Sequence, residues 1–206
     1  MWYGPRCQTP GKTGFESHRA KSYRPRTTKS RHKLGDGPNL LKGREAPASI
    51  NEVWAADITY IPLRGGRFGY LSVLMDLYSR RIVGFDSQES MTADLVLASL
   101  RKAIRTRQPR AHWIHHSDPG GQYATADCRA VLRRAQMRQS TSDAENCYDY
   151  AFMESCFGRM NTELELAESP DSLEAVRELS SYITDYNQNR RHSSLGDLTP
   201  AEFESR

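Results

Sequence analysis

The sequence predicts an α/β fold in which helices flank a mixed five-stranded sheet, with a basic extended arm before the sheet and a helix after it. Three strand-like segments follow one another between residues 53 and 87, and helical and strand-like segments alternate after them. That order is typical of a mixed sheet with helices on both faces. A chain of 206 residues with 37% hydrophobic content suits one domain of about 150 residues plus appendages.

The first three strands are expected at about residues 53–61, 69–77 and 81–87, because these segments are rich in β-branched and aromatic residues. The Arg-Gly-Gly-Arg sequence at 64–67 favours a hairpin turn, and Ser-Arg-Arg at 79–81 favours a second turn. Asp76 ends the second strand, and we interpret it as a turn or edge acid rather than as part of a site.

Helices and strands are expected to alternate over the next fifty residues. A helix at 92–106 has a leucine-rich apolar content, with Thr92 as its N-cap. A strand at 112–117 follows, then a helix at 125–136 and a short strand at 137–142. The Pro-Gly-Gly break after Asp118 ends the fourth strand, so this acid is placed at a strand end.

Two further helices are expected in the last third of the chain. Phe152, Cys156, Met160 and Leu164 recur at intervals of four, which predicts an apolar stripe along one helix. A second helix follows the Ser-Pro pair at 169–170, and a last short turn follows the Thr-Pro pair at 199–200. The basic Arg-Arg-His at 190–192 is interpreted either as a DNA contact or as favourable charge at a helix end.

Charge is distributed unevenly along the chain. Residues 1–45 hold 11 Lys or Arg and three acids, a net charge of +8, so the remainder carries −4 within the total of +4. This arm cannot bury much apolar surface and suits contacts with phosphates. A tail that only improves solubility is the alternative. The arm residues expected to bind DNA are Arg24, Arg26, Lys29, Arg31 and Lys33.

The sequence favours a cytoplasmic protein. No run approaches the roughly 20 apolar residues of a membrane span, and the N-terminus lacks a signal pattern. The four cysteines form no C-x-x-C pair, which favours free thiols over a disulfide or a zinc site.

Three acids form a candidate site. Asp57 interrupts the apolar first strand, where an acid is costly unless it is paired or binds a metal. Asp118 lies at a strand end, and Glu154 projects away from the apolar stripe of its helix. Carboxylates brought together repel one another unless a divalent cation neutralises them, and oxygen ligands favour Mg²⁺ or Mn²⁺.

Five sequence words around these acids resemble those of one protein family. They read WAADITYI, YLSVLMDLYSRRIVGF, IHHSDPGGQY, NCYDYAFMESCFG and YNQNRRHSSLGDLTPAEF, in this order. The chain from about residue 23 to 203 therefore resembles the transposases of bacterial insertion sequences that carry the integrase catalytic core, the second-frame product of two-frame elements. The resemblance implies a ribonuclease-H-like fold and an acid triad of Asp57, Asp118 and Glu154.

The resemblance also implies a domain organisation. Residues 46–168 correspond to the catalytic core and residues 169–206 to a C-terminal helical extension. In the family, a segment like 23–41 links an upstream helical DNA-binding region to the core. Residues 1–45 are therefore expected to be the remnant of that region, and the chain an N-terminally truncated copy.

The implied function is metal-dependent DNA strand cleavage and 3′-OH strand transfer during transposition. Two Mg²⁺ or Mn²⁺ ions about 4 Å apart can activate an attacking oxygen and stabilise the leaving one. Asp57 would bridge the ions, while Asp118 and Glu154 would each hold one. The expected partners are the insertion-sequence ends and target DNA, with a homo-oligomer assembled on DNA at the bacterial nucleoid.

Several other residues are candidates for positioning the substrate. Strand alternation directs only one of His115 and His116 toward Asp118, where it either orients a ligand or is a plain strand residue. Gln122, Tyr123, Asn146 and Asn161 are expected to contact DNA.

The chain departs from the family's pattern at three places. Related transposases usually carry Arg where this chain has Pro119, a Lys-Gly pair where it has Ala144 and Glu145, and Lys or Arg where it has Asn161. Each lost charged contact would weaken phosphate binding by about 1 to 3 kcal/mol. The alternative functions are a catalytically weak remnant that binds only DNA or a full-length partner, and a structure-selective nuclease of the same fold.

Overall fold

The computed structural model of the protein describes residues 37–63, 67–143, 151–163 and 172–206. Its five strands are β1 (Val53–Leu63), β2 (Arg67–Asp76), β3 (Ile82–Gln88), β4 (Ile114–Ser117) and β5 (Arg138–Thr141). Its helices are α1 (Ala93–Arg107), α2 (Ala126–Arg134), α3 (Ala151–Glu163), α4 (Ser172–Gln188) and α5 (Pro200–Glu204). The predicted order of strands and helices is confirmed.

The five strands form one mixed sheet in the order β3-β2-β1-β4-β5. β1, β2 and β3 pair antiparallel as successive hairpins, whereas β4 pairs parallel with β1 and with β5. The parallel strands are reached through helical crossovers, as parallel pairing requires. β1 is therefore the central strand, with the long hairpin on one side and the short parallel strands on the other.

Each face of the sheet is covered by a different pair of helices. Val53, Ala55 and Ile61 of β1 pack with residues of α3 and α4 in one buried cluster. Trp54, Ala56 and Ile58 pack with residues of α1 and α2 in the other. This alternation of side chains along one strand is the period expected of a sheet buried on both faces. Because α4 belongs to the first cluster, the C-terminal helix shares its packing with residues of the predicted core.

The helix-sheet packing on the second face depends on a glycine. A Cβ atom placed on Gly84 of β3 would lie 2.6 Å from the Ser99 carbonyl oxygen and 2.7 Å from the Ala103 Cβ. The Ser72 hydroxyl on β2 also lies 2.8 Å from the Ser99 hydroxyl, so two buried polar groups satisfy each other across this contact. α1 therefore approaches the sheet more closely than it could over a side chain.

Element boundaries differ from the prediction in a few places. The fourth strand begins at Ile114 rather than at residue 112, because His112 adopts a positive φ of 72° and its amide donates to the Gln136 carbonyl. Thr92 occupies the N-cap of α1 without a side-chain cap hydrogen bond. Thr125 caps α2 by accepting from the Cys128 amide. The predicted hairpin turn at 64–67 falls almost wholly outside the described residues.

Asp76 organises the turn between β2 and β3, which agrees with its interpretation as a turn acid. Its carboxylate accepts from the amides of Tyr78 and Ser79 at 2.9 Å, and also from the amide of Asn51. The residue is fully buried, and burial raises the pKa of the carboxyl while these amides act against that rise. Arg80 completes the turn with a φ of 60°.

Arg190, the first of the basic residues after α4, makes an ion pair rather than a helix-end charge. α4 ends at Gln188, and no basic residue lies in its last turn. Arg190 instead donates to both carboxylate oxygens of Glu163 on α3, at 2.6 and 2.7 Å. The interpretation of Arg190 as a partner of the helix dipole is therefore wrong.

The end of the predicted arm is attached to the sheet. The Leu40 amide donates to the Ser140 hydroxyl at 2.9 Å, and the Thr141 amide donates to the Pro38 carbonyl at 3.1 Å. Leu40 and Leu41 pack against the first cluster. These contacts cover the free edge of β5, so residues 37–41 extend the core rather than the basic arm.

Candidate active site

Asp57 and Asp118 are brought together by the parallel pairing of β1 with β4. Ala55 pairs with His116 and Ala56 with Ser117, so the next positions on the two strands are Asp57 and Asp118. Neighbouring strands lie about 4.8 Å apart. Both acids are half-buried. Side chains alternate between the two faces along a strand, and Asp57 and Asp118 fall on the same side of their strands as Val53, Ala55 and Ile114 of the first cluster. They therefore lie on the face of the sheet that α3 covers.

The chain after Asp118 makes a tight turn in which a glycine lies beside the carboxylate. The Gly120 amide donates to the Asp118 carbonyl at 2.8 Å, and the Tyr123 amide donates to the Gly120 carbonyl at 3.1 Å. A Cβ atom on Gly120 would lie 2.9 Å from Oδ1 of Asp118. The glycine thus leaves room for the Asp118 carboxylate. On β1, Oδ1 of Asp57 accepts from the Ile58 amide at 2.7 Å.

α3 carries the third acid of the trio over the same face. Its buried residues Met153, Cys156, Phe157 and Met160 pack in the first cluster with β1. Cys156 and Met160 belong to the predicted apolar stripe. Glu154 directly follows Met153 on this helix, and its side chain lies outside the described part of the structure. The backbone of α3 therefore runs over the face that bears Asp57 and Asp118.

The two acids that are described suit a hard divalent cation. Carboxylate oxygens are the ligands that Mg²⁺ prefers, and Asp57 and Asp118 are adjacent across the strand pair. Among the described side chains, no three His, Cys, Asp or Glu form a group that could hold a metal ion.

His116 lies on the acid side of β4 and His115 on the other side. Nδ1 of His116 is 2.8 Å from the Ser140 hydroxyl on β5, which fixes the ring two residues before Asp118. His115 is fully buried, with its ring centroid 5.8 Å from that of Tyr123. Burial, with a smaller effect from the positive charge of a protonated His116, lowers the pKa of His115 to about 4. The expectation that only one of the two histidines faces the acids agrees with this alternation.

Ser140 is a site residue that the sequence does not reveal. β5 has only four residues, and Arg-Gln-Ser-Thr carries no apolar pattern that would assign a face to its hydroxyls. The structure shows that Ser140 bonds both His116 and the Leu40 amide. It therefore connects the acid side of β4 to the segment at 37–41.

The predicted DNA-contact residues have different placements. Gln122 is half-buried, and its Oε1 lies beside the position of a Gly120 Cβ, at 3.2 Å. Tyr123 is 2% exposed and packs in the second cluster, so its placement supports a packing role instead of a DNA contact. Asn161 lies on α3, two turns after Glu154. The side chain of Asn161, all of Asn146, and the arm residues Arg24, Arg26, Lys29, Arg31 and Lys33 lie outside the described residues.

Comparison with known families identifies two matching models. Both are described as an integrase core domain, and they match residues 47–147 and 135–200. Together they span every described element from β1 to the start of α5.

Several curated proteins are similar over most of the chain. The chain is 40% identical over 179 residues to an uncharacterized 31 kDa protein of insertion element IS600 from Shigella sonnei, covering 86% of this chain and 65% of that one. It is 39% identical to transposase InsF of insertion sequence IS3A from Escherichia coli K12, covering 85% and 61%. With InsF of IS3fB it shares 37% identity over 202 residues, covering 97% and 68%. The chain thus spans 61 to 65% of the length of the first two relatives.

Solved structures share the fold at low sequence identity. A chain of the simian T-cell lymphotropic virus intasome, solved in complex with the PP2A regulatory subunit B56 gamma, superposes with a TM-score of 0.63 at 17% identity, covering 88% of this chain and 62% of that one. The HTLV-2 integrase catalytic core in complex with magnesium superposes with a TM-score of 0.57 at 13% identity, covering 75% and 96%. The fold is therefore that of the integrase catalytic cores, which is ribonuclease-H-like. Together with the matched family models and the InsF relatives, it establishes that the chain belongs to the integrase core domain family of bacterial insertion-sequence transposases.

Proposed function

We propose that the protein cleaves DNA strands and transfers the resulting 3′-OH to a second phosphodiester during transposition of an insertion sequence. The observation that carries this proposal is the register of β1 and β4, in which Asp57 and Asp118 are adjacent beneath the helix that bears Glu154. Adjacent carboxylates on rigid elements are suited to in-line displacement at phosphorus with metal assistance. Side chains on strands and helices hold such geometry better than side chains on loops.

The acids would hold two Mg²⁺ or Mn²⁺ ions. Asp57 would contact both ions, and Asp118 and Glu154 would each contact one. When bound, the ions would activate an attacking oxygen and stabilise the leaving oxygen. In support, the donor set consists of carboxylates only, and the structurally similar HTLV-2 catalytic core is a complex with magnesium.

Residues around the acids would position the carboxylates and the DNA strand. The hydrogen bond of His116 to Ser140 keeps the ring on the acid side of β4, and the Gly120 turn keeps the Asp118 carboxylate clear of side chains. Gln122 would contact the DNA strand, because its Oε1 accepts no hydrogen bond from the described residues. The first nucleophile would be water and the second the freed 3′-OH, so no covalent protein intermediate forms.

The partners would be the ends of the insertion sequence and a target DNA. The net charge of +8 over residues 1–45 supports a phosphate-binding arm there. Because transposition joins two ends, the protein would assemble as a homo-oligomer on DNA at the bacterial nucleoid. For the described residues, no helix is both long enough and apolar enough to span a bilayer.

The second candidate function is a catalytically weak remnant that binds only DNA or a full-length partner. Pro119 and Asn161 favour it, because neither can supply the positive charge that related transposases carry there. Both aspartates and Glu154 are nevertheless present, and InsF relatives at 37 to 39% identity are named as transposases. We therefore favour the enzyme.

The test is Mn²⁺-dependent cleavage and rejoining of a labelled branched DNA that mimics a strand-transfer product. The substrate requires only the chemistry of the core, so it does not depend on recognition of particular element ends. Titration of Mn²⁺ by calorimetry, with Asp57→Asn beside the unaltered protein, tests separately whether that acid holds the ions.

A further inference from the structure

A polar cavity lies on the same face of the sheet as the acid pair. It has a volume of about 390 Å³ and is bounded by the β2–β3 turn, by α3 and by the segment after α4. Arg80, Arg159, Arg191, His192 and Asp197 line it, with serine hydroxyls from α3 and from the short 3-10 helix at Ser193–Leu195. We refer to it as the arginine pocket. Its lining side chains come from three separate parts of the chain, so the pocket forms only in the folded protein.

The charge of the arginine pocket is positive. Three guanidinium groups face one lining carboxylate, that of Asp197. Asp76 also acts on Arg80 from within the turn, whereas Glu163 is occupied by Arg190. Arg191 donates to the Asp197 backbone carbonyl at 2.9 Å, which orients its guanidinium along the pocket wall. Forked guanidinium donors and hydroxyls together match the oxygens of a phosphate group.

His192 provides independent evidence that the arginine pocket takes an anion. Its Nε2 is buried and has no hydrogen-bond partner among the described residues, while its ring packs edge-on against Tyr186 at 5.0 Å. Burial lowers the pKa of His192, and the positive charges of Arg190, Arg159 and Arg80 lower it further. A buried polar nitrogen without a partner is costly, and an acceptor in the pocket would satisfy it.

Two elements connect the arginine pocket to the three acids. These are α3, which carries Glu154, and the β1–β2 strand pair, which carries Asp57. Ser155 directly follows Glu154 on α3, and Arg159 lies five residues after Glu154, about 7.5 Å along the helix axis. Met75, which also lines the pocket, pairs with Ala55, two residues before Asp57. A separation of this size is close to that between successive phosphates of one strand.

We propose that the arginine pocket binds a backbone phosphate of the DNA strand whose neighbouring phosphate reacts at Asp57, Asp118 and Glu154. The inference rests on the proposed function for the identity of the strand. Arg159 and Arg191 donate to the phosphate oxygens, and His192 donates to them through its Nε2–H. The contact fixes the strand along α3.

The test measures DNA affinity as a function of salt, using the labelled branched DNA in the Asp118→Asn background without metal, so that no turnover occurs. Each lost phosphate contact is expected to reduce the slope of log K against log salt by about 0.7 to 0.9. Arg159→Gln and Arg191→Gln should each do so and should weaken binding by about tenfold. Arg101→Gln is the matched control, because Arg101 is equally exposed on α1 on the opposite face of the sheet. It should leave the slope unchanged.

Unchanged slopes in folded Arg159→Gln and Arg191→Gln would overturn the inference. Inorganic phosphate provides the second arm. If phosphate raises the melting temperature of the unaltered protein but not of Arg159→Gln, while the DNA slopes stay equal, the pocket takes free phosphate and not DNA. The assay also distinguishes the two proposals. If Arg159→Gln reduces the salt slope of DNA binding but the unaltered protein shows no strand-transfer activity, the inference about the arginine pocket stands and the proposed function is wrong.

Discussion

Asp57 and Asp118 lie side by side on neighbouring strands, each directly after its residue of the last β1–β4 pair, Ala56 and Ser117. A slip of one residue would turn Asp118 to the face covered by α1 and α2, because side chains alternate along a strand. The register is held by a β4 strand of only four residues, all buried. The arrangement of the acids therefore depends on the packing of Ile114 and His116 as much as on the acids themselves.

Gly84→Ala should destabilise the fold by about 1 to 3 kcal/mol, because the added methyl group overlaps the Ser99 carbonyl oxygen and Ala103 of α1. Gly158→Ala is the control, since no described atom outside the nearby backbone of α3 lies within 4 Å of its Cβ position, and it should stabilise by about 0.5 to 1 kcal/mol. Urea unfolding followed by circular dichroism measures both. Equal effects of the two substitutions would contradict the close approach of α1.

Glu204→Gln should lower the free energy of unfolding by about 3 kcal/mol at pH 7. The Glu204 carboxylate is 7% exposed and accepts from Arg107 at 2.7 and 2.8 Å, from Arg81 at 2.7 Å and from Ser79 at 2.8 Å. Burial raises its pKa, but these donors outweigh burial, so the pKa lies below the usual 4.5.

The pH dependence of that variant gives a second test. Since the folded pKa of Glu204 is lowered, its stabilisation is complete above the unfolded pKa and is lost as the pH falls through the folded one. The difference between Glu204→Gln and the unaltered protein should therefore shrink below about pH 4. Glu178→Gln, on the exposed side of α4, should show no such trend.

His115→Phe should flatten the dependence of stability on pH between about 6.5 and 4. Burial holds the folded pKa of His115 at about 4, so the unfolded chain takes up a proton in this range that the folded chain does not. The unaltered protein should thus lose roughly 3 kcal/mol relative to the variant as the pH falls across the range. Urea unfolding at a series of pH values measures the difference. A variant that follows the same curve as His112→Gln, at an exposed position, would contradict the assignment.

Asn161→Lys should strengthen DNA binding and steepen its salt dependence by about 0.7 to 0.9. Asn161 lies seven residues after Glu154 on α3, so a lysine there adds charge on the same side of the helix. Fluorescence anisotropy with labelled DNA measures the slope. Thr106→Lys adds the same charge on α1, and an equal gain there would mean that only net charge matters.

Most of the fold was predictable from the sequence, because hydrophobic periodicity and turn residues mark each element. The strands of the first three-strand unit, the helix at 93–107 and the strand end before Asp118 follow from local pattern alone. Two acids of the site were also recognisable, since Asp57 interrupts an apolar strand and Asp118 precedes a Pro-Gly-Gly break.

The long-range contacts were not predictable in the same way. The partner of Arg190 is Glu163, 27 residues earlier, and the four-residue β5 places Ser140 against His116. Tyr123 is next to Gln122 in the GGQY word, yet it turns into the core. Such placements depend on tertiary packing, which cannot be predicted from the local periodicity of the sequence.

The most direct test of the central claim is the branched-DNA assay with matched acid substitutions. Asp57→Asn, Asp118→Asn and Glu154→Gln should each abolish Mn²⁺-dependent cleavage and rejoining while the protein stays folded. Asp127→Asn, at an exposed acid of α2, should retain full activity. Products that persist in Asp118→Asn, or a folded unaltered protein that forms none with Mg²⁺ or Mn²⁺, would contradict an active site built on the Asp57–Asp118 register.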